Sequence, residues 1–425
     1  MSNAHVIHAD CLAALRDMPD ASVDAVVTDP PYGLSNTTPT QVADTITRWA
    51  SGDREYLPTS VGFMGHEWDG FVPPPAVWDE CLRVLKPGGH LLAFAGSRTH
   101  DLMTLGIRLA GFEIRDSVAW LYGSGFPKSL DVSKAIDKMQ GAEREKILMP
   151  TKPGNALNPG GIGGEGRGGW SDHSSPATDA ARQWEGWGTA LKPAFEPITL
   201  ARKPMTGTVA ANVLEHGTGA LNIDACRIGT TDKLPQAGGY RAYSNEVYGK
   251  GLGVSSGRSA ELGGRWPANV VLDESQAAEL DRQSGNRPSR GGAAFSTGGY
   301  GFTVGLNRSD RREIGYGDSG GASRFFHVIE QDVPFIYCAK APKKERPVVD
   351  GISHPTTKPL KLMRLLVRMV TPPGGVVLDP FAGSGTTLEA AVMEGFDAVG
   401  IEREADYLPL IQARLDRAAD NGTAS

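Results

Sequence analysis

The chain has 425 residues, 40% of them hydrophobic and 22% charged, with a formal net charge of −6. Such a length allows two or three domains, and the composition fits a soluble globular protein rather than a disordered or fibrous one. The acidic balance excludes a protein that coats nucleic acid with its whole surface, while leaving room for a local basic face.

At the amino terminus, "MSNAHVIHAD" lacks the basic start and apolar core of a signal peptide. No run of about 18 apolar residues follows, so a cytoplasmic protein without a membrane span is expected. Cys11, Cys81, Cys226 and Cys338 are scattered without CxxC spacing, so neither disulfides nor a metal site is expected. "HVIHAD" ends a first strand and "SVDAVVTD" a second. Pro30 and Pro31 then forbid further pairing, because each locks φ and removes an N–H. The stretch "VVTDPPYGL" thus sets Asp29, two free proline carbonyls and the Tyr32 ring on a stiff corner, which suits a flat ligand carrying an NH2 group. The helix "AVWDECLRVL" follows, closed by the glycine turn "KPGG", and then the strand "HLLAFAG".

The segment from 126 to about 330 differs: 33 of the 54 glycines lie between 151 and 325. Patches such as "NPGGIGGEGRGGW" and "SRGGAAFSTGGYGF" cannot hold long regular elements. Either a disordered insertion or a small irregular domain is compatible with this; Trp170, Trp184, Trp187 and Trp266 favour the latter. Between 282 and 346, 11 Arg and Lys face 6 Asp and Glu. That local excess makes Arg287, Arg290, Arg308, Arg311, Arg312 and Arg324 candidates for phosphate contact, with a solvated surface as the plain alternative for each.

Order returns near 331. "PFIYCAK" reads as a strand, "KPLKLMRLLVRMV" as an amphipathic helix, "GGVVLDP" as a buried strand, "SGTTLEAAVMEG" as a helix, "FDAVGIE" as a strand and "EADYLPLIQARLDRA" as a final helix. This alternation predicts an α/β fold, a doubly wound and mostly parallel sheet. In "VVLDPFAGSGTTLEAA", Gly383 and Gly385 allow close backbone approach, although a tight turn without ligand would use glycine too. Glu402 lies 19 positions after Gly383, where an acid in a nucleoside-binding βαβ unit meets ribose hydroxyls. The loop lacks both the lysine of a phosphate-binding loop and the third glycine of the dinucleotide fingerprint. The expected cofactor is therefore adenosine-like without a pyrophosphate, and S-adenosyl-L-methionine fits. Asp379, Phe381, Ala382, Gly383, Ser384, Gly385, Thr386 and Glu402 form its expected cradle.

"DPPY" at 29–32 together with "DPFAGSGTT" at 379–387 resembles the amino-group DNA methyltransferases. The order, with "HPTTKP" at 354–359 before the cofactor loop, is similar to the β group. "LKPAFEPITLARKP" and "GRWPANVVLDE" resemble the insertions of phage and prophage members. The resemblance implies a circularly permuted Rossmann-like sheet, with a catalytic half at 1–125, a target-recognition insertion at 126–330 and a cofactor half at 331–425. It implies methyl transfer to adenine N6 within a short sequence of double-stranded DNA, by base flipping. Cytosine N4 is the alternative acceptor, with a catalytically silent DNA-binding regulator and a protein glutamine methyltransferase as further rivals. It makes Asp29, Pro30, Pro31 and Tyr32 catalytic, and places Asp10 at the adenine end of the cofactor and Thr356 and Lys358 near its methionine moiety. Asp10 would equally serve as a strand-end cap and Lys358 as a solvated charge. Trp120, Tyr122 and Phe126 are candidates for the target-base wall, with core packing as their alternative. Homodimerisation and a cognate restriction endonuclease are left open.

Overall fold

The computed structural model describes residues 3–60, 62, 67–123, 129–150, 170–228, 265–288, 292–293, 313–314, 319–329, 346–349 and 351–422. Among the described residues, nine strands build the central sheet: β1 (Ala4–His8), β2 (Val23–Thr28), β3 (Leu85–Phe94), β4 (Glu113–Leu121), β5 (Phe195–Arg202), β6 (Val270–Asp273), β7 (His327–Ile329), β8 (Val376–Asp379) and β9 (Asp397–Glu402). Their order across the sheet is β1-β9-β8-β2-β3-β5-β4-β6-β7. Every neighbouring pair is parallel except those made by β5, which runs against both β3 and β4. The expected doubly wound, mostly parallel α/β architecture is therefore present.

The helices are α1 (Cys11–Asp17), α2 (Pro39–Ala50), α3 (Pro75–Val84), α4 (His100–Leu109), α5 (Val132–Met139), α6 (Asp179–Gln183), α7 (Val209–His216), α8 (Glu274–Ser284), α9 (Leu360–Val370), α10 (Thr386–Met393) and α11 (Leu408–Gly422). Strand side chains alternate between two apolar layers. Ala25, Val27, Leu92 and Phe94 pack with Leu362, Leu366 and Leu388 of α9 and α10. Val26, Leu91 and Ala93 pack instead with Leu15, Trp78 and Ile107 of α1, α3 and α4. Covering both faces explains why β2, "VDAVVT", is buried at every position.

One expectation changes. "KPGG" does not end a helix; it lies inside β3, where the pairing with β2 jumps from Val23↔Leu85 to Ala25↔His90. Gly88 takes φ +79° there, a conformation available to glycine at no steric cost. The segment from 126 to 330 supplies β5, β6 and β7 to the same sheet. The strand expected in "PFIYCAK" lies outside the described residues, as do the cores of both glycine-rich patches. Among the described residues no helix is long and apolar enough to cross a membrane.

The amino- and carboxyl-terminal segments meet at the β2–β8 seam, through Val377↔Ala25 and Leu378↔Val26. At one end Asp24 accepts from Lys86 Nζ at 2.6 Å and from the Val376 N–H at 2.8 Å. At the other, Thr28 Oγ1 donates to Asp379 Oδ1 at 2.6 Å. Behind the sheet, fully buried Glu389 of α10 accepts from Arg414, itself fully buried, and from Arg417.

Arg414→Met should cost about 3–5 kcal/mol, since it strips a partner from a buried carboxylate. Arg48→Met, in the exposed pair with Asp44, should cost under about 1 kcal/mol; urea unfolding of both variants checks the contrast. The seam also predicts a pH dependence. Burial raises the Asp379 carboxyl from 3.8 to about 6, against the lowering effect of its hydrogen bonds. Between those values the folded chain holds a proton that the unfolded chain has released. The stability this group contributes is thus fully present below 3.8 and is lost as pH rises through about 6. The unfolding free energy of the parent, relative to Asp379→Asn, should fall by roughly 2–3 kcal/mol between pH 4 and 7. Parallel pH profiles for the two proteins would contradict this.

Candidate active site

In a sheet of this type loops at the carboxyl ends of the strands gather along one edge. The first such loop leaves β2 as Asp29-Pro30-Pro31-Tyr32-Gly33. Asp69 Oδ1 accepts the N–H groups of Tyr32 at 2.8 Å and Gly33 at 3.0 Å. The Tyr32 carbonyl accepts from Thr99 Oγ1 at 2.6 Å. Gly33 has φ +66°, and a Cβ there would stand 2.8 Å from the Val72 nitrogen, so glycine is required.

The Tyr32 hydroxyl donates to Glu196 Oε2 at 2.9 Å. Burial, with the charges of Asp29 and Glu196, pushes its phenol well above the ordinary value. Lys358 donates to Asp29 Oδ2 and lies 3.6 Å from Glu196 Oε2, with its side chain 2% exposed. The ammonium stands 5.2 Å from the Tyr32 ring centroid and 4.7 Å from that of Phe94. Among the described residues, Asp29 Oδ1 is buried without a hydrogen-bond partner.

The second loop leaves β8. Asp379 Oδ1 also accepts from the Phe381 N–H at 3.1 Å. Gly383 (φ +54°) donates its N–H to Glu402 Oε2 at 2.7 Å, and the other Glu402 oxygen accepts from the Glu404 N–H at 2.8 Å. Burial raises the Glu402 carboxyl above its ordinary value, against the lowering effect of these bonds. Gly385, at φ +81°, caps α10. Asp10 caps α1, its Oδ1 accepting from the Leu12 and Ala13 N–H groups at 3.0 and 3.2 Å.

Both loops open on one cavity of about 520 Å³. Asp10, the whole of Asp29–Tyr32, Thr356, Lys358, Asp379, Phe381, Ala382, Gly383, Ser384, Thr386 and Glu402 line it. Gly385 is not among the lining residues; it supports the loop from beneath, where its Cβ position faces Ile411. Trp120 and Tyr122 do not line the cavity either. Trp120 lies within β4, fully buried, its ring centroid 5.0 Å from that of Tyr122, and both belong to the apolar core. Both rings pack in the core, and the Tyr122 phenol also faces Glu196; Phe126 lies outside the described residues.

Of the six arginines, Arg290, Arg308, Arg311 and Arg312 lie outside the described residues. Arg287 is exposed. Arg324 donates to the carbonyls of Gly320, Gly321 and Arg287 and stacks 4.4 Å from the Phe325 ring centroid.

Three lining residues carry no expectation from the sequence, Asp69, Trp68 and His354; nor does Glu196, which does not line the cavity but meets Tyr32 and Lys358 behind it. His354 packs between Trp68 and Tyr407, at centroid distances of 6.4 and 4.6 Å. Its Nδ1 accepts the Thr356 N–H at 3.3 Å, and burial lowers its pKa to about 4, leaving it neutral near pH 7. "HPTTKP" and "FEPITLARKP" held the available signals for His354 and Glu196; Asp69 had none. Cys11 also lines the cavity, but burial pushes its thiol up to about 12, which excludes an activated nucleophile.

A family model described as DNA methylase, N6_N4_Mtase, matches residues 23–413. DNA adenine methyltransferase YhdJ of Escherichia coli (strain K12) is 42% identical over 67 residues, 16% of this chain and 23% of that protein. Type II methyltransferase M.ScaI of Streptomyces caespitosus is 38% identical over 77 residues, 18% of this chain and 25% of that protein. These matches span about a quarter of each relative's length. Among solved structures, TTHA0409 of Thermus thermophilus, complexed with S-adenosyl-L-methionine, aligns with a TM-score of 0.37 at 19% identity, covering 98% of this chain and 95% of that one. The cytosine-N4-specific PvuII DNA methyltransferase aligns with a TM-score of 0.44 at 13% identity, covering 99% and 91%. On the match over residues 23–413, the chain belongs to the N6/N4 DNA methylase family.

Proposed function

We propose that this chain transfers a methyl group from S-adenosyl-L-methionine to the exocyclic amine of a base in duplex DNA, with adenine N6 as the acceptor. The observation that carries the reading is the buried, unpartnered Oδ1 of Asp29 in the wall of the same cavity as Gly383 and Glu402.

The lining fits the cofactor chemically. Asp10, Asp379 and Glu402 make it acidic, which complements a sulfonium charge. Of its cations, Lys358 is held by Asp29 and Arg403 by Glu404, which leaves neither for a pyrophosphate. Glu402 and Asp10 would hold the nucleoside end, and Phe381, Ala382, Gly383 and Ser384 would form the bed beneath it. When bound, the cofactor supplies an electrophilic methyl group.

The chain's own residues act on the acceptor. The lone pair of a base amine is delocalised into the ring, so the nitrogen is a poor nucleophile until its N–H groups are engaged. Asp29 Oδ1 and the Pro30 carbonyl would accept those two N–H bonds, pyramidalise the nitrogen and localise its lone pair, an interaction strongest in the transition state. Tyr32 stacks on the base, and proton release passes to Asp29 or water. Such contact requires the base to leave the helix. Arg287 and the other arginines of the glycine-rich segment would hold phosphates.

The adenine assignment rests on "DPPY" and on the name of the YhdJ relative. Cytosine N4 is the second reading, because its amine has nearly the same chemistry. Methylation of duplex DNA with tritiated cofactor, followed by nucleoside analysis, should yield N6-methyladenine; N4-methylcytosine alone would overturn the adenine assignment. Transfer to a protein substrate in place of DNA would favour the glutamine rival. Asp29→Ala should lower transfer at least about a hundredfold with DNA binding retained. Unchanged turnover in that variant would remove Asp29 from the chemistry.

A further inference from the structure

We propose that Glu196 is a positioning residue for methyl transfer, acting through Lys358 and Tyr32 to hold the carboxylate and the ring that receive the base. This inference rests on the function proposed above.

The direction of β5 brings Glu196 to the site. Because β5 runs against the sheet, its first residues reach the edge where all other strands end, and Glu196 pairs there with Trp120. The side chain is buried, with the residue 3% exposed. A carboxylate placed so deeply needs compensation. Glu196 finds it in the Tyr32 hydroxyl at 2.9 Å and the Lys358 ammonium at 3.6 Å, and the Tyr122 phenol faces it as well. It thereby touches both elements of the proposed base site: the ring that stacks, and the cation that holds Asp29.

The division of labour within the cluster follows from the atoms engaged. Lys358 occupies Oδ2 of Asp29 and leaves Oδ1 without a partner. With Glu196 ionised, the ammonium is shared between two carboxylates. With Glu196 neutralised, Lys358 is drawn wholly to Asp29 and competes with the base amine for its lone pairs. The groups facing Asp29 are Lys358, Glu196, Tyr32, His354 and Asp379. Among these, burial lowers the His354 pKa to about 4, so it is neutral near pH 7. Replacing ionic clusters by apolar groups often stabilises a fold. A buried cluster at a reaction centre is therefore better read as positioning than as stability.

Glu196→Gln preserves volume and an acceptor for Tyr32 while removing the charge. It should lower kcat roughly ten- to a hundredfold. Dissociation constants for S-adenosyl-L-methionine and for duplex DNA should stay within about twofold, the signature of an interaction spent on the transition state. The acid limb of the kcat–pH profile should move in opposite directions in two variants. Glu196→Gln removes a repelling carboxylate and shifts it to lower pH; Lys358→Met leaves two carboxylates without their ammonium and shifts it higher, each by about one pH unit or more. If Lys358→Met does not fold, Lys358→Arg, which keeps the charge, should retain the parental limb. Parental kcat in Glu196→Gln, binding losses equal to its kcat loss, or an unmoved limb in the variants that change a charge would overturn the proposal. A displaced limb in Lys358→Arg would do so as well. A parent chain that methylates no DNA overturns both this inference and the function beneath it, whereas an active parent matched by Glu196→Gln overturns the inference alone.

Discussion

The pairing of β2 with β8 is the constraint on which the site depends. Asp29 follows one strand and Asp379 ends the other, and the two strands are neighbours although some 350 positions separate them in sequence. Strand register has a period of two, so a slip of one residue would turn each strand's inward set outward. Both faces of β2 are buried, and such a slip would misplace apolar side chains in both layers. Asp24 clamps one end of the seam and the Thr28–Asp379 bond the other. The chain order of the two motifs matters little once that register is held.

The seam opens on an edge unusually rich in carboxylates, and each is tolerated for a different reason. Asp379 is shifted toward its neutral form and accepts hydrogen bonds from Thr28 and Phe381. Glu402 takes the N–H groups of Gly383 and Glu404. Asp29 and Glu196 share Lys358. This arrangement separates the glycine loop from a phosphate cradle by charge. In a phosphate loop the backbone N–H groups point at the ligand; here the Gly383 N–H is already engaged by the protein's own acid. The edge is one of acceptors, suited to a cation and to amine and hydroxyl donors.

Much of this was legible in the sequence, for physical reasons. Buried parallel strands read as apolar runs, as in "DAVVT" and "GVVLD", and the helices around them show their amphipathic spacing. Pro30 and Pro31 mark the end of β2 because they cannot pair. What was not legible depends on partners remote in the chain. "KPGG" looks like a helix terminus until β2 imposes a bulged register on it. Asp69 serves Tyr32 and Gly33 from an irregular segment that no local pattern distinguishes. Trp120 and Tyr122 carry rings that suit a base pocket and a core equally; pairing of β4 with β5 puts them in the core. Lys358 reads as a helix-start charge, and only the fold sets it on Asp29.

The reversed strand β5 bears on how the middle segment relates to the chemistry. Read as composition, residues 126–330 form an insertion hung between two halves. In the structure that segment supplies β5, which lies between β3 and β4 and carries Glu196 against the site. From β5 the hydrogen-bonded order runs through β4 to β6, and β6 leads into α8, which ends at Ser284 just before Arg287. Asp273, at the end of β6, accepts the Gly123 N–H at 2.7 Å and so ties the exit of β4 to the same array. Contiguity of this kind is not by itself coupling. It does place the start of the basic segment: α8 leads to it directly from a strand of the sheet that carries the cavity. Under the function proposed above, phosphate contact at Arg287 and capture of a base at the cavity would both be referred to that sheet.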